Sequence, residues 1–249
     1  MGAHKSGTSA LAHFLFQHPA IYIPKKKESH FFDNERIFKQ SNGSPDYEAY
    51  HKDFEVPPGT RLVGEATPIY MYWKPAAPRI QQYNPTIKMI FILRNPIDRA
   101  YAHYNWAKDI MEDETEPFPK ALRLEKRRLF ERLPLQSRIF SYVDRGYYAQ
   151  QIKRLLEYFP LSQMFFIKNE ELRGDHANTL NRTFGFLSVR PVDYIEPVNV
   201  NNSHYPPMAV SDRKYLLKKF QRDIEELEKL LNWDCSDWLA SAKPPAGHL

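Results

Sequence analysis

Only one cysteine, Cys235, stands in the 249 residues, so no intrachain disulfide can form and nothing calls for an oxidising compartment. No apolar run approaches the ~20 residues of a membrane span, and no secretory leader follows Met1. Both absences lead to the expectation of a cytoplasmic chain without a membrane span, an upstream anchor or neighbouring domain being left open. Internal repeats and low-complexity linkers are also missing, which predicts a single domain over 1–249. Strong charge of one sign is lacking too: 35 Lys and Arg against 30 Asp and Glu leave a net charge of +5. That excess suits an anionic ligand and does not call for nucleic acid as a partner. His4, His13 and His103 have no metal-ligand partners at useful spacing, so they read as structural and no metal is expected.

What is present is an alternation of two periodicities. Residues 21–23, 61–65, 88–93 and 163–168 predict strands, and residues 8–17, 146–159 and 211–231 predict helices. The run over 88–93 is apolar nearly throughout, as befits a parallel strand covered on both faces. Together these predict an α/β fold with a central parallel sheet flanked by helices. Residues 30–56 predict short helices lying over the fold. The densely charged stretch 112–135 predicts a helical surface insertion.

Two loops carry chemistry. Gly2-Ala-His-Lys-Ser-Gly-Thr-Ser9 lies where a strand would hand over to a helix, although almost nothing precedes it. Such a loop points backbone N–H groups at one spot beside a helix N-terminus, which suits an anion. The nucleotide-kinase pattern G-x-x-x-x-G-K-[ST] has the same glycine spacing, but Thr8 stands in place of its lysine and the loop's lysine, Lys5, comes earlier. The second loop is Leu93-Arg94-Asn-Pro-Ile-Asp-Arg99, with Asn95 as helix N-cap and Pro96 at the first helical position. A metal-dependent phosphate site would place a carboxylate there. Arg94 places a guanidinium instead, able to make two hydrogen bonds to phosphate. The expected ligand is a nucleotide phosphorylated at two separate points and bound without metal, and Arg99 reads as a structural ion-pair partner.

Taken together, the two loops resemble the cofactor-binding signatures of the sulfotransferases that use 3′-phosphoadenosine-5′-phosphosulfate (PAPS), whose fold is P-loop-kinase-like. Gly64-Glu-Ala-Thr-Pro-Ile-Tyr70, Asp144-Arg-Gly-Tyr-Tyr and Asn201-Asn-Ser-His-Tyr-Pro-Pro-Met208 extend the resemblance over most of the chain, closest to the bacterial and heparan-sulfate branches. It implies that Lys5, Ser6, Gly7, Thr8 and Ser9 hold the 5′-phosphosulfate and that Arg94 holds the 3′-phosphate. Lys5 would stabilise charge on the bridging oxygen. No metal would be needed, and adenosine 3′,5′-bisphosphate would be the product.

Lys27-Glu28-Ser-His30-Phe-Phe-Asp33 resembles the segment in which the heparan-sulfate and bacterial branches carry a glutamate base, which nominates Glu28. His30 is the rival, because the cytosolic branch uses histidine for this step. The serine that the family usually carries eight residues after the arginine is Ala102 here. Asn202, Ser203 and Tyr205 of the late loop are candidates to supply the missing hydrogen bond. Glu65 is a candidate to orient Lys5 or touch the acceptor, and Tyr147 and Tyr148 are candidates to touch adenine or substrate.

The resemblance implies sulfuryl transfer to a hydroxyl or amine on a small molecule or a glycan. An acyl chain on a carrier protein is an alternative acceptor, and a non-catalytic nucleotide- or glycan-binding module is an alternative of another class.

Overall fold

The computed structural model describes residues 1–41, 44–192, 195–196 and 205–240. In chain order its elements are α1 (Thr8–Phe16), β1 (Ile21–Tyr22), α2 (Glu35–Gln40), α3 (Tyr47–His51), β2 (Leu62–Val63), α4 (Ala76–Tyr83) and β3 (Met89–Leu93). There follow α5 (Pro96–Asp109), α6 (Phe118–Phe130), α7 (Tyr148–Leu156), β4 (Met164–Lys168), α8 (Asn169–Gly174), α9 (His176–Leu187), α10 (Val210–Leu231) and α11 (Ser236–Leu239). The chain divides into two compact units. One comprises Met1–Leu93 with Tyr158–Asn201, and the other Arg94–Glu157 with Asn202–Leu249.

The first unit contains all four strands found among the described residues, each lying within its predicted run. β1 pairs with β2 and β3 with β4, both in parallel. β3 also has a partner along its other edge. Gly2 bridges to Phe91 in parallel, Ile92 N–H donates to the Gly2 carbonyl at 2.7 Å, and Ala3 N–H donates to the Ile92 carbonyl at 2.8 Å. Residues 1–3 thus run in parallel beside β3, as an isolated bridge, ahead of the first loop. Helix α1 lays Leu11, Ala12, Phe14 and Leu15 into a core with Ile92, Ile167, Leu180 and Phe184. Its N-terminus has no side-chain cap. Full burial of each large apolar side chain contributes roughly 1.5–3 kcal/mol, against about 1 kcal/mol for a cap, so packing holds this helix in place.

In the second unit Asn95 caps α5 as predicted, its Oδ1 accepting from Ile97 N–H at 3.0 Å. Helix α7 packs on α10. Gly146, just ahead of α7, is required by close approach, since a Cβ there would lie 2.5 Å from a Phe220 ring carbon. Asp223 of α10 does what no residue at the start of α7 does, accepting from Ala149 N–H at 3.1 Å and Gln150 N–H at 3.3 Å. Burial pushes the Asp223 carboxyl up to about 6.

Within the charged stretch 112–135, α6 buries one face through Phe118, Ala121, Leu122 and Glu125. The Glu125 carboxylate accepts from Val143 N–H at 2.9 Å and Asp144 N–H at 2.8 Å. Among the described residues no helix is long and apolar enough to cross a membrane.

Glu125 is 4% exposed, and burial, opposed by those two N–H groups, raises its carboxyl from 4.5 to about 7. The folded state therefore keeps a proton that the unfolded chain releases between these values. Its contribution favours folding most below 4.5 and declines until pH reaches about 7. Glu125→Gln keeps an acceptor oxygen for both N–H groups and is expected to lack this decline. Calorimetric Tm values from about pH 5 to about pH 8 should converge on the acid side and favour the variant on the alkaline side. Parallel profiles would refute the assignment.

Candidate active site

The first loop is built by the sheet edge on one side and by α8 on the other. Ser6 N–H turns back to the Ala3 carbonyl at 3.2 Å, and Lys5 sits in the left-handed region at φ 65°. Gly7 follows at φ 99°, a conformation that favours glycine. The space is closed as well, because a Cβ on Gly7 would lie 2.6 Å from Asn169 Nδ2. That same nitrogen donates to the Ser6 carbonyl at 2.8 Å. Asn169, the first residue of α8, thus shapes the loop from 163 positions away in sequence. Nothing local in the sequence marks it beyond its place at the end of a predicted strand.

The loop's output is a bare helix N-terminus. Leu11 N–H bonds back to the Gly7 carbonyl at 3.1 Å, while the N–H groups of Thr8, Ser9 and Ala10 precede the first intrahelical partner. No acidic residue occupies this first turn. Ser6 Oγ is buried without a hydrogen-bond partner among the described residues. Orphan N–H groups, the positive end of a helix dipole and a buried hydroxyl make a cradle for a phosphate-sized anion.

In the same unit, the segment after β1 gathers four charged groups. Lys27 Nζ lies 2.6 Å from Glu28 Oε1. His30 Nε2 lies 3.4 Å from Glu28 Oε2, and His30 Nδ1 lies 3.2 Å from both oxygens of the buried Asp33. Burial opposes the charge on Glu28, but hydrogen bonds from His30 and Lys27 outweigh it and hold its carboxyl below the usual range. The bond to Asp33, followed by that to Glu28, raises the His30 imidazole to about 9. At neutral pH His30 is therefore a cation with both ring nitrogens donating, and Glu28 is an ionised acceptor. Only Glu28 of the two can take up a proton in this arrangement. Asp33, quoted in the sequence motif without a role, supplies the larger hold on His30.

Glu65 belongs to the same neighbourhood. It turns its carboxylate to Ser29, Thr67, Tyr50 and Tyr70.

The remaining candidates lie in the second unit. Arg94 is half-buried, with no ion-pair partner for its guanidinium among the described residues, and its carbonyl accepts from the Tyr148 hydroxyl at 3.0 Å. Tyr148 is 1% exposed and meets the Trp238 ring edge-on, so its link to the loop is through the Arg94 backbone. The Tyr147 ring lies against Phe220 at 5.5 Å. Arg99 is buried and donates to the Tyr142 carbonyl, a hydrogen bond to backbone where the sequence predicts an ion pair. Ala102 is buried on α5, and Tyr205 stands edge-on to Tyr101 at 5.3 Å. Asn202 and Ser203 lie outside the described residues.

An NMR titration of the His30 ring is expected to show the imidazolium persisting to about 9 instead of 6.5. Asp33→Asn should lower that midpoint more than Glu28→Gln, since the Asp33 bond is the larger cause. The stabilisation from this pairing is complete below 6.5 and is lost as pH rises through about 9. An ordinary midpoint in the wild-type protein would exclude the double-carboxylate bridge.

Comparison with known proteins bears on the same segments. The sulfotransferase domain family profile matches residues 1–208. The crystal structure of a sulfotransferase from Alicyclobacillus acidocaldarius is similar at 34% identity and a TM-score of 0.80, covering 96% of each chain. Human heparan sulfate glucosamine 3-O-sulfotransferase 6 is 31% identical over 195 residues, which is 77% of this chain and 52% of its own length. Human bifunctional heparan sulfate N-deacetylase/N-sulfotransferase 3 is 28% identical over 259 residues, 93% of this chain and 29% of its own. The chain thus spans about a third to a half of these two curated relatives. With the profile covering most of its length and the fold shared throughout, the chain belongs to the sulfotransferase domain family.

Proposed function

We propose that this chain passes a sulfuryl group from PAPS to a hydroxyl or amine acceptor by in-line displacement without a metal ion. The observation that carries this reading is the pairing, within one unit, of a bare anion cradle at α1 with an ionised Glu28 held by two cations. The loop fits the donor in three respects. Gly7 leaves room only for backbone, Ser6 Oγ is a buried hydroxyl without a partner, and the first turn of α1 contains no carboxylate to repel phosphate.

When bound, PAPS would supply an activated sulfuryl group on a phosphate that is a stable leaving group. The N–H groups of Thr8 and Ser9, with Ser6 and Gly7, would hold its 5′ end, and Lys5 would neutralise charge there. Arg94, with Tyr205 and the late-loop residues Asn202 and Ser203, would hold the 3′-phosphate. Glu28 would accept the acceptor's proton, with the His30 imidazolium and Lys27 fixing the orientation of its carboxylate. His30 would thus be a positioning cation and Glu28 the base. Two relatives carry heparan sulfate in their names, which supports a glycan as the first acceptor class to test.

Calorimetry with adenosine 3′,5′-bisphosphate is expected to show binding that weakens by roughly tenfold or more when the 3′-phosphate is removed or Arg94→Ala is introduced. Lys5→Ala and Glu28→Gln should each cut turnover by roughly 10²-fold. Glu28→Gln should retain nucleotide affinity. No heat with the bisphosphate would overturn the donor, and full turnover in Glu28→Gln would overturn the base.

A further inference from the structure

Between β1 and α2 the chain runs through residues 28–33 without helix or strand. Backbone N–H groups there need acceptors from elsewhere, since an unpaired buried N–H is costly. Four consecutive ones find them. Ser29 N–H donates to Glu65 Oε2 at 3.1 Å, and His30 N–H donates to Thr67 Oγ1 at 3.4 Å. Phe31 N–H donates to the Tyr70 hydroxyl at 3.0 Å and to Ser29 Oγ at 3.3 Å. Phe32 N–H donates to the same tyrosine at 3.3 Å.

Every one of those acceptors is Glu65 or a hydroxyl that gives its own proton to Glu65. Ser29 Oγ donates to Oε2 at 2.6 Å, Thr67 Oγ1 donates to Oε2, and the Tyr70 hydroxyl donates to Oε1 at 2.9 Å. A hydroxyl has one proton and two lone pairs, so donating to a carboxylate leaves its lone pairs to accept, here from the backbone N–H groups that face it. Burial, with the Glu65 charge beside it, keeps Tyr70 a phenol and therefore a donor. One carboxylate thus sets the direction of three hydroxyls, and these with it set the path of four peptide units.

We infer that Glu65 is a positioning residue for the reaction, holding the backbone of Ser29 to Phe32 and through it the aim of Glu28 and His30. The geometry stands by itself; its consequence for turnover rests on the sulfuryl-transfer reading. His30 shows why a grip is needed there. Its φ of 54° lies in the left-handed region, which a residue with a Cβ keeps only where its surroundings fix it. If the segment relaxed, the imidazole would leave the space between Glu28 and Asp33, and a displacement of ~1 Å at a reacting group costs on the order of 10²-fold in rate.

Tyr50 provides the internal control. Its hydroxyl also donates to Glu65 Oε1, at 3.0 Å, yet it receives none of the four N–H groups. Glu65→Gln keeps the volume but puts an NH₂ where protons already arrive. We expect kcat to fall by roughly 10²-fold while affinity for adenosine 3′,5′-bisphosphate stays within about twofold. Hydrogen exchange at the Ser29–Phe32 amides should accelerate, with the amides of β3 and β4 unaffected. Tyr70→Phe and Thr67→Val should each reproduce part of this pattern. Tyr50→Phe, which removes a single hydrogen bond, should leave kcat within about threefold of wild type.

Unchanged exchange at those four amides in Glu65→Gln would overturn the inference. So would equal loss of kcat in Tyr50→Phe and Tyr70→Phe, which would mark the carboxylate as generally structural. A wild-type protein without sulfuryl transfer would overturn the proposed function alone, because the exchange measurement reads the grip of Glu65 without turnover.

Discussion

The site depends on a reversal of the chain within four residues. Residues 1–3 run beside β3 in parallel, and α1 begins at Thr8. The turn between them must bring a helix N-terminus to the end of the sheet without filling the space in front of it. Gly7 satisfies this twice, by its positive φ and by the absence of a Cβ where Asn169 Nδ2 sits. Asn169 in turn satisfies the Ser6 carbonyl from behind the loop, and the orphan N–H groups of α1 remain in front. Apolar packing of α1 on Ile92 and Ile167 then fixes where those N–H groups point.

Carboxylates in this protein divide by the charge of what they accept from. Glu125 and Asp223 receive only neutral backbone N–H groups, and burial prevails, so both carboxyls are raised. Glu28 is also partly buried, yet its partners are Lys27 and a protonated His30, and its carboxyl is lowered. The first pair locks backbone in place, and burial penalises its charged form. The second arrangement keeps an anion ionised close to solvent, as a proton acceptor requires. Under the proposed reading, the same side-chain chemistry fixes backbone at Glu125 and Asp223 and would take up a proton at Glu28.

Much of this was legible in the residues. The four strands follow from apolar runs bounded by turn residues, the α5 cap follows from Asn95-Pro96, and the anion loop follows from Gly2 and Gly7 with the displaced Lys5. What escaped has one common cause: it acts across sequence distance with no periodic signal. Asn169 reaches Ser6, Asp223 caps α7, and Thr67 and Tyr70 receive the N–H groups of residues 30–32. The stretch 112–135 reads as a charged surface insertion because its charge density hides the spacing of Phe118, Ala121, Leu122 and Glu125, which is the spacing of one helix face. Glu65 stands in the sequence as a candidate to orient Lys5 or touch the acceptor, and its hold on the Ser29 N–H and on the hydroxyls of Thr67 and Tyr70 carries no sequence signal of its own.

A difference in kind between the two ends of the proposed reaction follows. The donor end is written mainly in backbone: N–H groups at a helix start are the same whatever side chains follow, and the sequence need only supply the glycine and asparagine that let the chain pass. Such a site depends little on the identity of the side chains that follow it. The acceptor end is written in side chains held by other side chains, from Lys27, Glu28 and His30 through Asp33 to the carboxylate of Glu65. Replacing a residue in that chain would alter charge or aim directly while leaving the backbone of the proposed donor cradle in place. Under the proposed reaction, the donor end is readable from one sequence because it rests on the geometry of a helix terminus, and the acceptor end would rest on the segment that Glu65 holds.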